Sequence, residues 1–255
     1  MIYVKATKHL TGVTIQGDLD DFNDLVSAIY RMTGTSEEVG DLYEGVKNRL
    51  LGLCYDIRHA YMGDREIVLK DNVLGSNIKE EFGIHECNQN IYYSVNILYP
   101  EVIFLALAVP DMFVYSKGYY GKRDQYNQEY KMINSYSNYF KDKALLSLLS
   151  SSIYQSLEEV IGSDEFNKLY SLINKENPDY VDYVTLYSDQ CNLELINTQL
   201  AQRKDKLIDI TRNFIKKNIK YKDIEKRVTA YAHKHQISID QIEDVNIEYP
   251  EVIEW

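Results

Sequence analysis

The feature that most constrains this chain is a change of period. Through the first hundred residues short runs of alternating apolar side chains are interleaved with helical stripes, whereas beyond residue 119 apolar side chains recur every third or fourth. A period of two belongs to a strand with one covered face, and a period near 3.6 to a helix with one covered stripe. The 255 residues therefore read as α+β. A mixed domain over 1–120 has a small, largely antiparallel sheet and packed helices, and an all-helical domain over 121–255 ends in an acidic segment. Twelve glycines and four prolines are few, which favours long helices over tight turns.

Ile2 and Val4, then Val13 and Ile15, alternate with polar neighbours and predict a hairpin. Asp18 or Asp20 caps a helix whose stripe is Phe22, Leu25, Val26, Ile29 and Tyr30, with Gly34 as its stop. A second helix is expected over about 41–62, with Val46, Leu50, Leu53, Cys54, Ile57 and Tyr61 inward. Residues 65–70 read as a strand, and Ile91, Tyr93, Val95 and Ile97 mark the clearest strand of all. Pro100 opens a buried helix that Pro110 is expected to break. Helical spacing then links Tyr126, Tyr130, Ile133, Tyr136 and Phe140, and a long stripe runs from Leu145 to Ile161. Gly162, Asn177 and Pro178 mark breaks between the helices beyond it. Leu193, Ile196, Leu200, Leu207, Ile210 and Phe214 keep a near-heptad step interrupted at Arg203 and Lys204, and a last helix covers about 222–235.

The net charge is −11, unevenly spread. Residues 203–234 hold eleven basic and four acidic side chains, and the last twenty-one residues hold six acidic and no Lys or Arg. An acidic whole disfavours wholesale contact with nucleic acid. The start has no apolar export core, and the longest apolar run, 102–109, is short of the ~20 residues that span a bilayer. Cys54, Cys87 and Cys191 are odd in number and widely spaced, unlike a disulfide framework. These features predict a cytoplasmic protein without membrane association.

The familiar catalytic signatures are missing: no Gly-rich phosphate loop ends in Gly-Lys-Ser/Thr, and no serine sits in a nucleophile elbow. The segment 48–59 is the most suggestive, with Tyr55, Asp56, Arg58 and His59 as candidates for acid–base work or anion binding. The competing reading is a sandwiched helix whose polar groups serve loop backbone. Cys54 and Cys87 stay open as nucleophiles, because a histidine partner is chosen in space. His85, Glu86 and Cys87 lack a second ligand pair, and His233 and His235 point apart on a helix, so no metal is expected. Asp18, Asp20, Asp21 and Asp24 suit a helix start better than a cation site. No cofactor is implied. The basic block, with Arg203, Lys204, Arg212, Lys216, Lys217, Lys220 and Arg227, offers a binding surface for nucleic acid, for an acidic partner or for the chain's own acidic end.

The opening Met1-Ile2-Tyr3-Val4-Lys5, the run Leu10-Thr11-Gly12-Val13-Thr14-Ile15, the stretch 48–66 and the stretch 95–100 resemble an uncharacterised bacterial family of unknown function, over residues 1–120. The resemblance implies no activity or site. The leading expectation is a non-catalytic interaction protein such as an inhibitor, immunity factor or accessory subunit of a bacterial conflict or defence module. It would take a protein partner, most naturally a basic one. The alternatives are an enzyme or small-molecule sensor using the Tyr55–His59 helix face, and a nucleic-acid binder using 203–234. The heptad-like helices also permit a homodimer.

Overall fold

A computed structural model describes residues 1–34, 43–72, 75–83, 89–118, 120, 135–242 and 247–255. The sheet has four strands, β1 (Tyr3–Ala6), β2 (Gly12–Gly17), β3 (Glu66–Asp71) and β4 (Gln89–Leu98), in the order β1-β2-β4-β3 with every neighbour antiparallel. The α+β class and the helical C-terminal region are thus present as the periodicity indicates. The alternation is used as expected on the central strands. Val13, Ile15, Val95 and Ile97 are buried on one face, and Thr14, Gln16, Ser94 and Asn96 share the other. There Thr14 Oγ1 donates to Asn96 Oδ1 at 2.7 Å.

Helices α1 (Leu19–Thr33), α4 (Tyr99–Ser116) and α5 (Tyr136–Ile161) contact the first two strands, and α2 (Glu44–His59) packs on α1. Asp18 caps α1 by accepting from the Asp21 N–H at 2.8 Å, and Asp21 accepts from the Asp18 N–H in return, closing a capping box. α2 runs into a π-turn over Ala60–Asp64, where Gly63 takes φ 92° before β3. A short α3 (Ser76–Glu81) lies between β3 and β4. The C-terminal helices are α6 (Ser163–Glu176), α7 (Leu186–Ile196), α8 (Leu200–Lys216) and α9 (Ile219–His235). Gly162 at φ 90° separates α5 from α6, and left-handed Asn177 ends α6.

One sequence expectation is corrected. α4 is not broken at Pro110 but continues to Ser116. A proline there removes the N–H that would bond the Ala106 carbonyl, and Tyr154 Oη on α5 donates to that carbonyl instead, at 3.0 Å. Ile67 and Leu69 of β3 share one face and are 52% and 56% exposed; among the described residues the helical element that packs on β3 is the π-turn over Ala60–Asp64. Although α4 is long and apolar enough to cross a bilayer, it is the central helix of the core, with thirteen of its eighteen residues buried.

Apart from Ala232, the buried apolar residues described form one cluster from Ile2 to Val228, with α4 contacting α5, α7 and α8. Arg31 on α1 meets Asp142 on α5 through two bonds of 2.7 and 2.6 Å, and Tyr120 donates to the same fully buried carboxylate at 2.9 Å. The expected division near 120 borders 121–134; this stretch, with Tyr126, Tyr130 and Ile133, lies outside the described residues.

Candidate functional site

The strand lengths create the site. β3 pairs with β4 only as far as Glu66 opposite Ser94, so residues 95–98 of β4 have a strand neighbour on the β2 side alone. Ile97 turns its carbonyl towards Gly12 on β2. Backbone polarity alternates along an antiparallel strand, so Asn96 presents its N–H and C=O, and Leu98 its N–H, to the opposite side. Among the described residues no strand pairs with that edge, and no turn, loop or cap hydrogen bond of the backbone reaches it. It borders a cleft of about 580 Å³.

α2 contributes Arg49 and Asp56 to the cleft, α4 contributes Glu101, α7 contributes Asp189 and Asn192, and the C-terminal segment contributes Tyr249, Ile253 and Trp255. Arg49 joins three of these elements. It pairs with Asp189 through Nη1 and Nη2, donates to Glu101 Oε2 at 3.1 Å and donates to the Thr185 carbonyl at 3.0 Å. Burial disfavours its charge, but Glu101 and Asp189 outweigh that effect and hold it protonated. Burial also pushes the Glu101 carboxyl above its ordinary range, against the opposing pull of Arg49. Asn192 donates to Glu101 and to Tyr249 Oη, both at 3.3 Å, while Tyr249 Oη donates to Asp189 at 3.1 Å. The Asn192 Oδ1 is buried without a partner among the described residues.

Glycine at position 12 lets the chain end close the cleft. A Cβ there would lie 2.1 Å from the Ile97 oxygen and 2.8 Å from the Trp255 ring. Thr11 Oγ1 donates to the Glu254 carbonyl at 2.5 Å, anchoring the same segment. The acidic end therefore packs on the sheet. Among the described residues, no ion pair joins it to the basic block.

The helix face singled out in the sequence disperses. Asp56 reaches the cleft and accepts from Arg65 at 3.3 Å. His59 Nδ1 meets Asp64 at 2.9 Å and its ring lies 4.3 Å from that of Tyr55, which is 59% exposed. Arg58 turns to Tyr30 Oη on α1, at 3.1 Å. These four side chains do not converge on a common point. Burial pushes the Cys54 and Cys191 thiols up to about 12, far from the thiolate a nucleophile needs. His85, Glu86 and Cys87 lie outside the described residues. Among those described, no group of three His, Cys, Asp or Glu side chains is arranged to hold a metal.

The basic block is divided too. Arg203 is buried, donating to the carbonyls of Thr198, His9 and Ile196 and to Thr11 Oγ1 at 2.6–3.0 Å. Lys220 and Lys206 pair with Glu194, Arg212 pairs with Asp209, and Arg227 donates to the Asp223 carbonyl. Lys217 ends α8 in the left-handed region, 5.7 Å from the rings of Tyr183 and Tyr221. Lys204 and Lys216 are exposed.

Arg49, Glu101, Asp189, Asn192 and Tyr249 were not sequence candidates. One signal was present for Arg49: it stands three residues after Val46 and four before Leu53, on the margin of the apolar stripe. Another was Glu101, a charge in the first turn of a helix that is apolar from Val102 to Val109.

The chain belongs to the family described as a domain of unknown function (DUF6904), whose model matches residues 2–255. The match extends well past the 1–120 over which the sequence carried a resemblance. No curated protein and no solved structure matches the chain.

Proposed function

We propose that this member of a family of unknown function is a non-catalytic binding protein that captures an extended, basic segment of a partner protein in the cleft beside β4. The observation that carries the reading is the unpaired edge of residues 95–98 opening onto an acid-rich cavity. A strand edge with free backbone groups adds an extended peptide as a further strand, and flanking pockets select its side chains. Four carboxylates (Asp56, Glu66, Glu101 and Asp189) line the cavity against two arginines, so its charge balance favours a cation. Leu98, Ile253 and Trp255 offer apolar surface for the aliphatic stem of a Lys or Arg guest. The dispersal of Tyr55, Arg58 and His59 and the suppressed Cys54 thiol weigh against a catalytic reading.

The test is calorimetry with an extended Lys/Arg-rich peptide and with an Asp/Glu-rich peptide of equal length. The basic peptide binds and the acidic one does not. The double change Asp56→Asn with Glu66→Gln weakens the basic peptide about fivefold, as expected for two partly solvated charges. Equal binding of the two peptides, or none of the basic one, would refute the reading.

A further inference from the structure

The outer edge of β3 presents a different surface. β3 is the last strand of the sheet, and among the described residues it pairs only with β4. Ile67 and Leu69 are more than half exposed on one face, beside Ile91, which is 53% exposed on β4. A bare edge with exposed apolar residues is a template for another strand, and proteins that keep it free usually blunt it with charge, proline or a bulge. On the other face, Lys70 lies 4.4 Å from the Tyr3 ring centroid and 4.5 Å from that of Tyr92. No carboxylate pairs with Lys70 among the described residues. Burial, and secondarily Lys5, depresses its pKa, as expected of a cation lacking a counter-charge.

The sequence of β3 is complementary to itself when reversed. In an antiparallel pairing, residues directly opposite share a face, so a two-fold axis at Val68 sets Val68 against Val68. It sets Ile67 against Leu69 on the apolar face and Glu66 against Lys70 on the polar face, each twice. We infer that β3 is a homodimerisation edge, joining two copies into one continuous eight-stranded sheet in which Glu66 of each copy neutralises Lys70 of the other. The registers centred on Ile67 or Leu69 would instead set Glu66 or Lys70 against Val68 and lose this match. Glu66 also lines the cleft, so the second copy brings a cationic side chain to the cleft rim. A six-residue edge buries less than the ~1,000 Å² of a permanent interface, so the dimer is concentration-dependent.

Sedimentation velocity over a concentration series, without peptide, tests this. The unaltered chain moves from monomer towards dimer as concentration rises. Glu66→Lys sets lysine against lysine and weakens self-association about tenfold. The charge swap E66K/K70E restores it, because the pairs re-form with signs reversed. A strict monomer up to the solubility limit would overturn the inference, and so would a dimer indifferent to Glu66→Lys or one the swap fails to restore. Because Ile67 and Leu69 are half solvated in the single copy, Leu69→Lys is a second variant that leaves the monomer's fold intact while abolishing the dimer. A dimer that survives Leu69→Lys would overturn it equally.

Discussion

Arg203 ties the β1–β2 turn to the connection between α7 and α8, with three backbone carbonyls and one hydroxyl around a single guanidinium. A planar fork of five N–H donors matches such a divergent set, while an ammonium on a narrower stem reaches fewer of the four acceptors. Arg203→Lys therefore lowers unfolding free energy by roughly 2 kcal/mol although charge is kept, which denaturant titration reads directly. A loss under about 0.5 kcal/mol, in the range typical of surface changes, would mean that the contacts do not act together. This residue was legible in part. Arg203 lies three after Leu200 and four before Leu207, so the near-heptad step runs through it. Read as an interruption in a solvated basic helix, it was in fact a polar residue at a core position. Arg49 repeats the pattern on the margin of α2. An arginine in an apolar stripe is indistinguishable by spacing from one at its edge, and its acceptors come from segments far away in sequence.

The same holds for whole elements, and α4 is the clearest case. Proline inside a helix normally breaks it because the i−4 carbonyl loses its donor and the ring crowds the turn. Here Tyr154 supplies the donor, so the break is repaired from a helix some fifty residues on. Tyr154→Phe leaves the Ala106 carbonyl buried and unpaired and costs about 1–3 kcal/mol. Hydrogen exchange in α4 around Pro110 should accelerate in this variant more than exchange in α9, whereas a uniform change would place the effect in global stability alone. The central strands and the α1 cap could be read from local chemistry, since alternation and Asp18 with Asp21 act within a few residues. β3 could be found but not its surroundings: Ile67 and Leu69 alternate as core residues do, and only the arrangement of helices leaves them more than half exposed.

At the scale of the molecule, one apolar cluster carries the fold and one buried ion pair, Arg31 with Asp142, joins α1 to α5. The cleft is a product of the whole. Its charged groups come from α2, the start of β3, α4 and α7, its aromatic wall from the C-terminal segment, and Arg49 with Asp189 spans 140 positions. No local motif could announce such a set, which is why the sequence pointed to the Tyr55–His59 face, where only Asp56 reaches the cleft. What the sequence did carry was the excess of acid, and the cleft concentrates it beside an unpaired strand edge. Trp255 is the only tryptophan in the chain and lines that cleft, so its emission reports the site without a label. The most direct measurement is a titration of the protein with an extended Lys/Arg-rich peptide while Trp255 fluorescence is followed at low and high salt. Capture in the cleft predicts a saturable change that weakens as ionic strength rises and is not produced by an acidic peptide of the same length. Emission that stays constant throughout, or responds alike to both peptides, would contradict it.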